Sequence, residues 1–495
     1  MMDKEDSYKQ IAKSTGVVGG TQILNILIGI VRMKVLAILL GPSGVGIAGI
    51  FQTIVDLVKD ATGFGINFSG VKKIAEVSES RDPKKISRNI KVLRRWALGT
   101  GLFGTFIIIG FSQYFSIFSF GNSDYTRSII FLSIIVFTST ISASQIALLQ
   151  GLRKISEMAK ANLFGTIAGT VVSLPLYWWF GNKGIVPGMV LTSICAMCVS
   201  WIFSRKIKIQ HVDLTISQSF KDGLGMAKLG FFIVVNGFVA TLSMYIIRKI
   251  IISHLSLTSV GFFQAVWTIS TVYINVLLHA MLADYFPRLT MLQNDNQASN
   301  KLINQQLEVT LLIGTPMLIG MIVMAPIGLN ILYSASFDVA VPILRWQMAG
   351  SFFTLLSWPL GVLYLSKNEG WYCVISESLR QLFYISFVYF AWKYFGFNSL
   401  GIGFLLAGVV NVIFVYFSLK KISGFKFSLI NIKFIIIFGT AVISILSLCL
   451  LFNGWLTYLF SFGVVLLFTI FCFKKLDQLI GIKQIIVNKF SLKNN

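Results

Sequence analysis

Runs of about 20 apolar residues follow one another along almost the whole chain, each long enough to cross a bilayer as an α-helix. Nothing else in the sequence restricts the fold so strongly. Only 12% of the 495 residues are charged, about half the share in a soluble domain. The expected fold is an all-α polytopic membrane protein. Polar punctuation divides it into about fourteen spans, from 15–40 and 44–70 at one end to 433–452 and 455–473 at the other. Turn chemistry marks several breaks: Gly41-Pro42-Ser43-Gly44, Gly181-Asn182-Lys183-Gly184, Gly396-Phe397-Asn398 and Asn453-Gly454.

The formal charge of +23 would point to nucleic acid in a soluble protein. Here its distribution has a simpler cause. With the N-terminus in the cytoplasm, 32 of the 42 Lys and Arg fall in cytoplasmic segments, above all 72–95 and 205–228. The outer edges keep Arg127, Lys183 and Lys393. Cytoplasmic loops carry such an excess, so both termini are expected inside. The basic loops are expected to meet anionic lipid headgroups, and no nucleic acid. Cys195 and Cys198 form a C-x-x-C within a span, without a His or acidic companion, so no metal site is expected. The N-terminus is polar and mixed in charge, unlike a cleavable signal peptide.

Seven cations remain inside the spans: Arg32, Lys34, Lys59, Arg248, Lys249, Arg345 and Arg380. The acids there are Asp56, Asp60 and Glu377. Charges in spans usually face a protein interior or a wet cavity, and an excess of cations suits an anion. The competing reading for Arg32, Lys34, Arg248 and Lys249 is snorkelling to the headgroups. Glu377 and Arg380, three apart, would pair on one helix face. Asp56, Lys59 and Asp60 also share a face, as a structural ion cluster or as cavity groups.

The two halves match at nearly constant offsets. Arg32 aligns with Arg248, Phe51-Gln52-Thr53-Ile54 with Val266-Trp267-Thr268-Ile269, and Leu149-Gln150-Gly151-Leu152-Arg153 with Leu363-Tyr364-Leu365-Ser366-Lys367. The expectation is two six-span lobes, 1–204 and 229–424, joined by a basic linker at 205–228. A pseudo-two-fold axis along the membrane normal would relate them. Residues 425–495 add a helix pair and a tail. No phosphate-cradling G-x-x-x-x-G-K-[ST] motif is present. His211, His254 and His279 are scattered, and no catalytic constellation stands out. No catalytic residue is expected, which favours transport.

The run Arg32, Lys34, Leu40-Gly41-Pro42-Ser43-Gly44-Val45-Gly46 resembles the first-loop signature of Wzx-type polysaccharide flippases. Four later pieces resemble the subgroup that moves O-antigen and enterobacterial-common-antigen-type units. They are Tyr245-Ile246-Ile247-Arg248-Lys249, Val260-Gly261-Phe262-Phe263-Gln264, Thr268-Ile269-Ser270 and Arg345-Trp346-Gln347-Met348-Ala349-Gly350. The similarity covers about residues 10–420, within the multidrug/oligosaccharidyl-lipid/polysaccharide exporter superfamily. It implies two lobes around a V-shaped cationic cavity. It also implies an undecaprenyl-diphosphate-linked oligosaccharide carried to the outer leaflet of the inner membrane. The final helix pair resembles that of lipid II flippases. Arg32, Lys34, Arg248 and Lys249 would attract the diphosphate. Asp56, Lys59, Asp60, Gln264, Arg345, Glu377 and Arg380 would line the cavity. A polysaccharide polymerase and a chain-length regulator are the expected protein partners. No cofactor is expected beyond a coupling proton or sodium ion. The alternatives are a cation-coupled multidrug or small-molecule antiporter resting on Asp56, Asp60 or Glu377, a lipid II-type flippase, and a membrane-embedded glycan polymerase or ligase.

Overall fold

The computed structural model describes residues 4–79, 82–207, 209–452 and 454–480, with side chains from Gly20 onward except at 79, 228, 229, 273, 283 and 480. The extreme termini expected in the cytoplasm, and Asn453 of one expected turn, lie outside the described residues. Among those residues the chain forms fourteen α-helices and no strand. The first six are α1 (Lys4–Thr62), α2 (Ile66–Glu79), α3 (Pro83–Phe120), α4 (Thr126–Gly151), α5 (Ile155–Phe180) and α6 (Ile185–Ser204). Then come α7 (Ile216–His254), α8 (Leu257–Met291), α9 (Asn296–Leu332) and α10 (Val341–Ser366). The last four are α11 (Gly370–Phe395), α12 (Ser399–Ser423), α13 (Leu429–Leu451) and α14 (Trp455–Ile480).

These fourteen helices are not one-for-one the fourteen expected spans. The first two spans both lie in α1, which is broken only at Gly41, where φ is 64° and ψ −171°. Pro42 follows and lacks the N–H that would continue the ladder. The second span was expected to run to residue 70. It stops at Thr62, where Phe64 and Gly65 take positive φ and turn the chain into α2. Among the described residues, eleven apolar helical stretches are long enough to cross a membrane, three of them far too long for one crossing. Gly20–Thr62, Ile155–Ser204 and Gly370–Ser423 run 43, 50 and 54 residues. At about 1.5 Å per residue each exceeds twice the hydrocarbon thickness of about 30 Å. Each has one break, at Gly41, Gly181–Gly184 and Gly396–Asn398. Fourteen crossings result, and the protein is a multi-pass membrane protein.

Two backbone turns recur at the offset that aligned the halves. Arg153 and Asn368, 215 residues apart, are both at positive φ (55° and 60°). They follow α4 and α10, and the same wrapped turn closes there. The Lys154 N–H donates to the Leu149 carbonyl at 2.9 Å, and the Glu369 N–H donates to Tyr364 at 2.7 Å. Gly181 and Gly396, also 215 apart, have φ/ψ of 56°/−134° and 50°/−131° and open equivalent 3₁₀ turns. Glycine is needed at both, since this region excludes a Cβ.

The chain divides into two compact units, Met1–Phe262 with Leu332–Ser334, and Phe263–Ile331 with Ala335–Asn495. In the first, α3 packs on α4, and α5 on α6 and α1. Helix α7, expected to open the second lobe, packs on α1, α2 and α3 of the first unit. In the second, α12 packs on α10 and α11, and α13 on α10 and α14.

The expected linker is a strap tied to α3. The Gln210 N–H donates to Ser87 Oγ (2.9 Å), Lys91 Nζ to the Val212 carbonyl (2.9 Å) and Arg95 Nη1 to the Leu214 carbonyl (2.8 Å). Arg88 pairs with Asp222 at 2.9 Å, and Trp96 Nε1 donates to the Ser219 carbonyl at 2.8 Å. Val92, Leu214 and Met226 form a small apolar core beneath. Three basic residues of 72–95 are therefore occupied within the protein.

Candidate functional site

The first part of α1 and helices α4, α5 and α6 enclose a polar cavity of about 430 Å³. Gln22, Asn25 and Arg32 reach it from α1; Ser142, Asn162, Thr166, Thr192 and Ser200 face them. Small residues allow α5 and α6 to come this close. A Cβ on Gly165 would lie 3.3 Å from the Ala196 Cα, and one on Gly169 2.6 Å from the Thr192 methyl. Ser200 donates to Gln145 Oε1 at 2.5 Å and lies 3.0 Å from Ser142 Oγ. Asn25 Oδ1 is buried without a hydrogen-bond partner. Arg32, half-buried, brings the cation. Lys34 does not line this cavity, because positions two apart on a helix do not share a face.

Arg248 and Lys249 were expected to face Arg32 across one cavity, from a second lobe, or to reach the headgroups. Arg248 is 5% exposed and donates from Nη1 to the Gly49 carbonyl at 2.7 Å, tying α7 to α1. The ammonium of Lys249 lies 5.5 Å from the centre of the Phe118 ring, which stacks on Tyr245. Tyr245 Oη is 2.7 Å from Ser119 Oγ. Both cations are engaged on α1 and α3. The sequence match between Arg32 and Arg248 therefore does not extend to their surroundings.

The same seam holds Asp56 and Asp60. Gln52 Nε2 donates to both oxygens of Asp56 at 3.0 Å, and Lys59 Nζ is 3.9 Å from Asp56. Asp60 accepts from Thr241 Oγ1 of α7 at 2.7 Å. Near the break in α1 the helices touch backbone to backbone. A Cβ on Gly46 would lie 2.5 Å from the Leu257 carbonyl, and one on Gly261 only 1.7 Å from that of Pro42.

In the second unit, Arg345 is corrected from a cavity residue to a buried fastener. It is 4% exposed. Its Nε donates to the Ile322 carbonyl (3.2 Å), Nη1 to the Cys449 carbonyl (2.6 Å) and Nη2 to Tyr458 Oη (3.2 Å). The reason lies in the helices around it. Pro326, four residues after Ile322, has no N–H to return. Cys449 sits in the last turn of α13, where carbonyls lack helical partners. Arg345→Met is expected to orphan both carbonyls and cost about 1–3 kcal/mol. A lower melting temperature in detergent would show it, and an unchanged one would refute the fastening. Glu377 and Arg380 pair as their spacing implied, at 2.5 Å, and Gln381 Nε2 joins them at 2.6 Å. Gln264 bonds its neighbour one turn on, Thr268, at 3.0 Å.

Sequence reasoning missed Ser142, Asn162, Thr166, Thr192 and Ser200 as a group. Hydroxyls in apolar runs commonly bond their own helix carbonyl, as Thr166 does to Asn162 and Thr192 to Gly188. The available signal was Gly165, Gly169 and Ala196, which mark a close helix pair. Of the aromatic run at the end of α5, Tyr177 is buried while Trp178 and Trp179 are over 70% exposed, as in an interfacial belt.

The family described as "Polysaccharide biosynthesis protein" matches residues 35–342. The lipid III flippase of Escherichia coli (strain K12) is 21% identical over 371 residues, 74% of this chain and 88% of the relative. That of Shigella flexneri matches equally. Among solved structures, the lipid II flippase MurJ in its inward closed conformation superposes with a TM-score of 0.71 at 16% identity. That match covers 92% of this chain and 98% of the other. An inward-facing multidrug resistance MATE family transporter of the MOP superfamily gives 0.67 at 15%, over 81% and 96%. With its fourteen crossings on the fold shared by these transporters, the chain belongs to the polysaccharide biosynthesis protein family.

Proposed function

We propose that the protein is a flippase for an undecaprenyl-diphosphate-linked oligosaccharide, an O-antigen or related surface-polysaccharide repeat unit. It carries this lipid from the cytoplasmic to the outer leaflet of the inner membrane by alternating access of two lobes. It makes and breaks no covalent bond. The observation that carries this reading is Arg32 in a cavity ringed by amides and hydroxyls. A diphosphate cannot cross hydrocarbon without compensation. A guanidinium fork fits phosphate oxygens bidentately, and amides and hydroxyls suit sugars. The flippase relatives support the same chemistry. Arg32 is the principal diphosphate contact in this reading. Lys34, Arg248 and Lys249 add positive potential from positions outside the cavity. Asp56, Asp60 and Glu377 remain the candidates for coupling to protons or sodium. A polymerase and a chain-length regulator would take the product.

The test is reconstitution. Purified protein in liposomes should expose a labelled lipid-linked oligosaccharide to an outside lectin far faster than protein-free vesicles do. Equal rates, or new glycosidic bonds in the product, would overturn the reading.

A further inference from the structure

We infer that a second cavity beside the Arg32 site seats the first sugars of the lipid-linked glycan, an assignment that rests on the flippase reading above. This cavity, about 720 Å³, lies among α2, α4, α5 and α6. It shares Ser142, Ile146, Asn162 and Ala196 with the Arg32 cavity. The two therefore adjoin, with Asn162 in the wall they share, and each has the size of a small-ligand pocket.

The two cavities differ in character. The Arg32 cavity has a cation, amides and hydroxyls. The larger one is mostly apolar, with Phe68 55% exposed. The amides of Asn67, Gln150 and Asn162 and the hydroxyl of Ser139 interrupt that surface. A sugar ring has the same two aspects, apolar C–H faces and a rim of hydroxyls. A hydrocarbon tail there would strip water from three amides and return no hydrogen bonds. An anion would find only Lys72, exposed at the rim. Sugars therefore match the lining better than the tail or the diphosphate does.

The order along the protein also fits. Lys72 begins the segment 72–95 and Gln150 adjoins 151–160, both of which the Lys/Arg bias puts on the cytoplasmic side. Arg32 lies further along α1. A lipid-linked glycan in the inner leaflet presents its diphosphate toward the membrane and its sugars toward the cytoplasm. Asn162, in the shared wall, would stand at the junction of diphosphate and first sugar, near the unpartnered Asn25 Oδ1 in the Arg32 cavity.

The experiment measures affinity of the full-length protein in detergent for two probes. One is bare undecaprenyl diphosphate; the other carries a single N-acetylglucosamine. The wild type should bind the glycosylated lipid more tightly. Asn67→Leu and Gln150→Leu, whose side chains line only the larger cavity, should each weaken that binding about tenfold. Their unchanged affinity for the bare lipid would show an intact fold. Arg32→Ala should weaken both probes. Equal wild-type affinity for the two probes, or equal weakening of both by Gln150→Leu, overturns the sugar seat and leaves the flippase standing. A wild type that binds neither lipid overturns both.

Discussion

Arg32→Ala is expected to reduce surface-glycan export by about 100-fold or more, with the protein still reaching the membrane at near wild-type level. The cavity around Arg32 has amides and hydroxyls but no second cation in its lining. A diphosphate there would lose its charge-assisted hydrogen bonds and retain most of its desolvation cost. Arg32→Lys keeps the charge but loses the bidentate fork, so a loss of about tenfold is expected. Because Arg32 lines a cavity, its removal should leave packing nearly unchanged. The measurement is surface glycan per cell, normalised to the amount of protein in the membrane. Full export by Arg32→Ala would remove the diphosphate role from this site.

Gly261→Val should affect assembly instead. A Cβ there would fall 1.7 Å from the Pro42 oxygen and 2.6 Å from its carbonyl carbon. Both are backbone atoms, so no rotamer change relieves the clash, and the start of α8 must move off the break in α1. Overpacking of this kind costs on the order of 3 kcal/mol or more. The variant should accumulate poorly and melt well below wild type in detergent. Gly20 and Gly29 supply the control, since a Cβ at either meets nothing within 4 Å. Gly29→Ala should melt at or slightly above the wild-type temperature, because alanine favours helix. Identical melting of Gly261→Val and wild type would mean that the close approach is absent.

The architecture was largely legible because it follows from length. A crossing needs about 20 apolar residues, and several of the breaks carry glycine, proline or asparagine. The offset that aligned the halves reappears at Arg153 and Asn368 and at Gly181 and Gly396. The packing of α7 was not legible. Two of its ties run to main-chain oxygens, from Arg248 to Gly49 on α1 and from Trp96 of α3 to Ser219 of α7. A backbone acceptor carries no sequence signature. The fates of the three arginines diverge for the same reason. Arg32 meets a cavity, Arg248 the carbonyl of Gly49, and Arg345 two carbonyls that their helices leave open. Only the vacancy at Ile322 could have been read in advance, from Pro326 four positions later.

The turns at Gly181–Gly184 and Gly396–Asn398 also bear on how the protein is made. Four or three residues span about 10–14 Å, well under the hydrocarbon thickness of about 30 Å. Once α5 is lodged across the bilayer during synthesis, the residues of α6 must already be following it inside, with no aqueous slack between them. The same holds for α11 and α12. Insertion therefore proceeds by helical pairs, and the nascent chain has no stage at which the first member of either pair is settled alone.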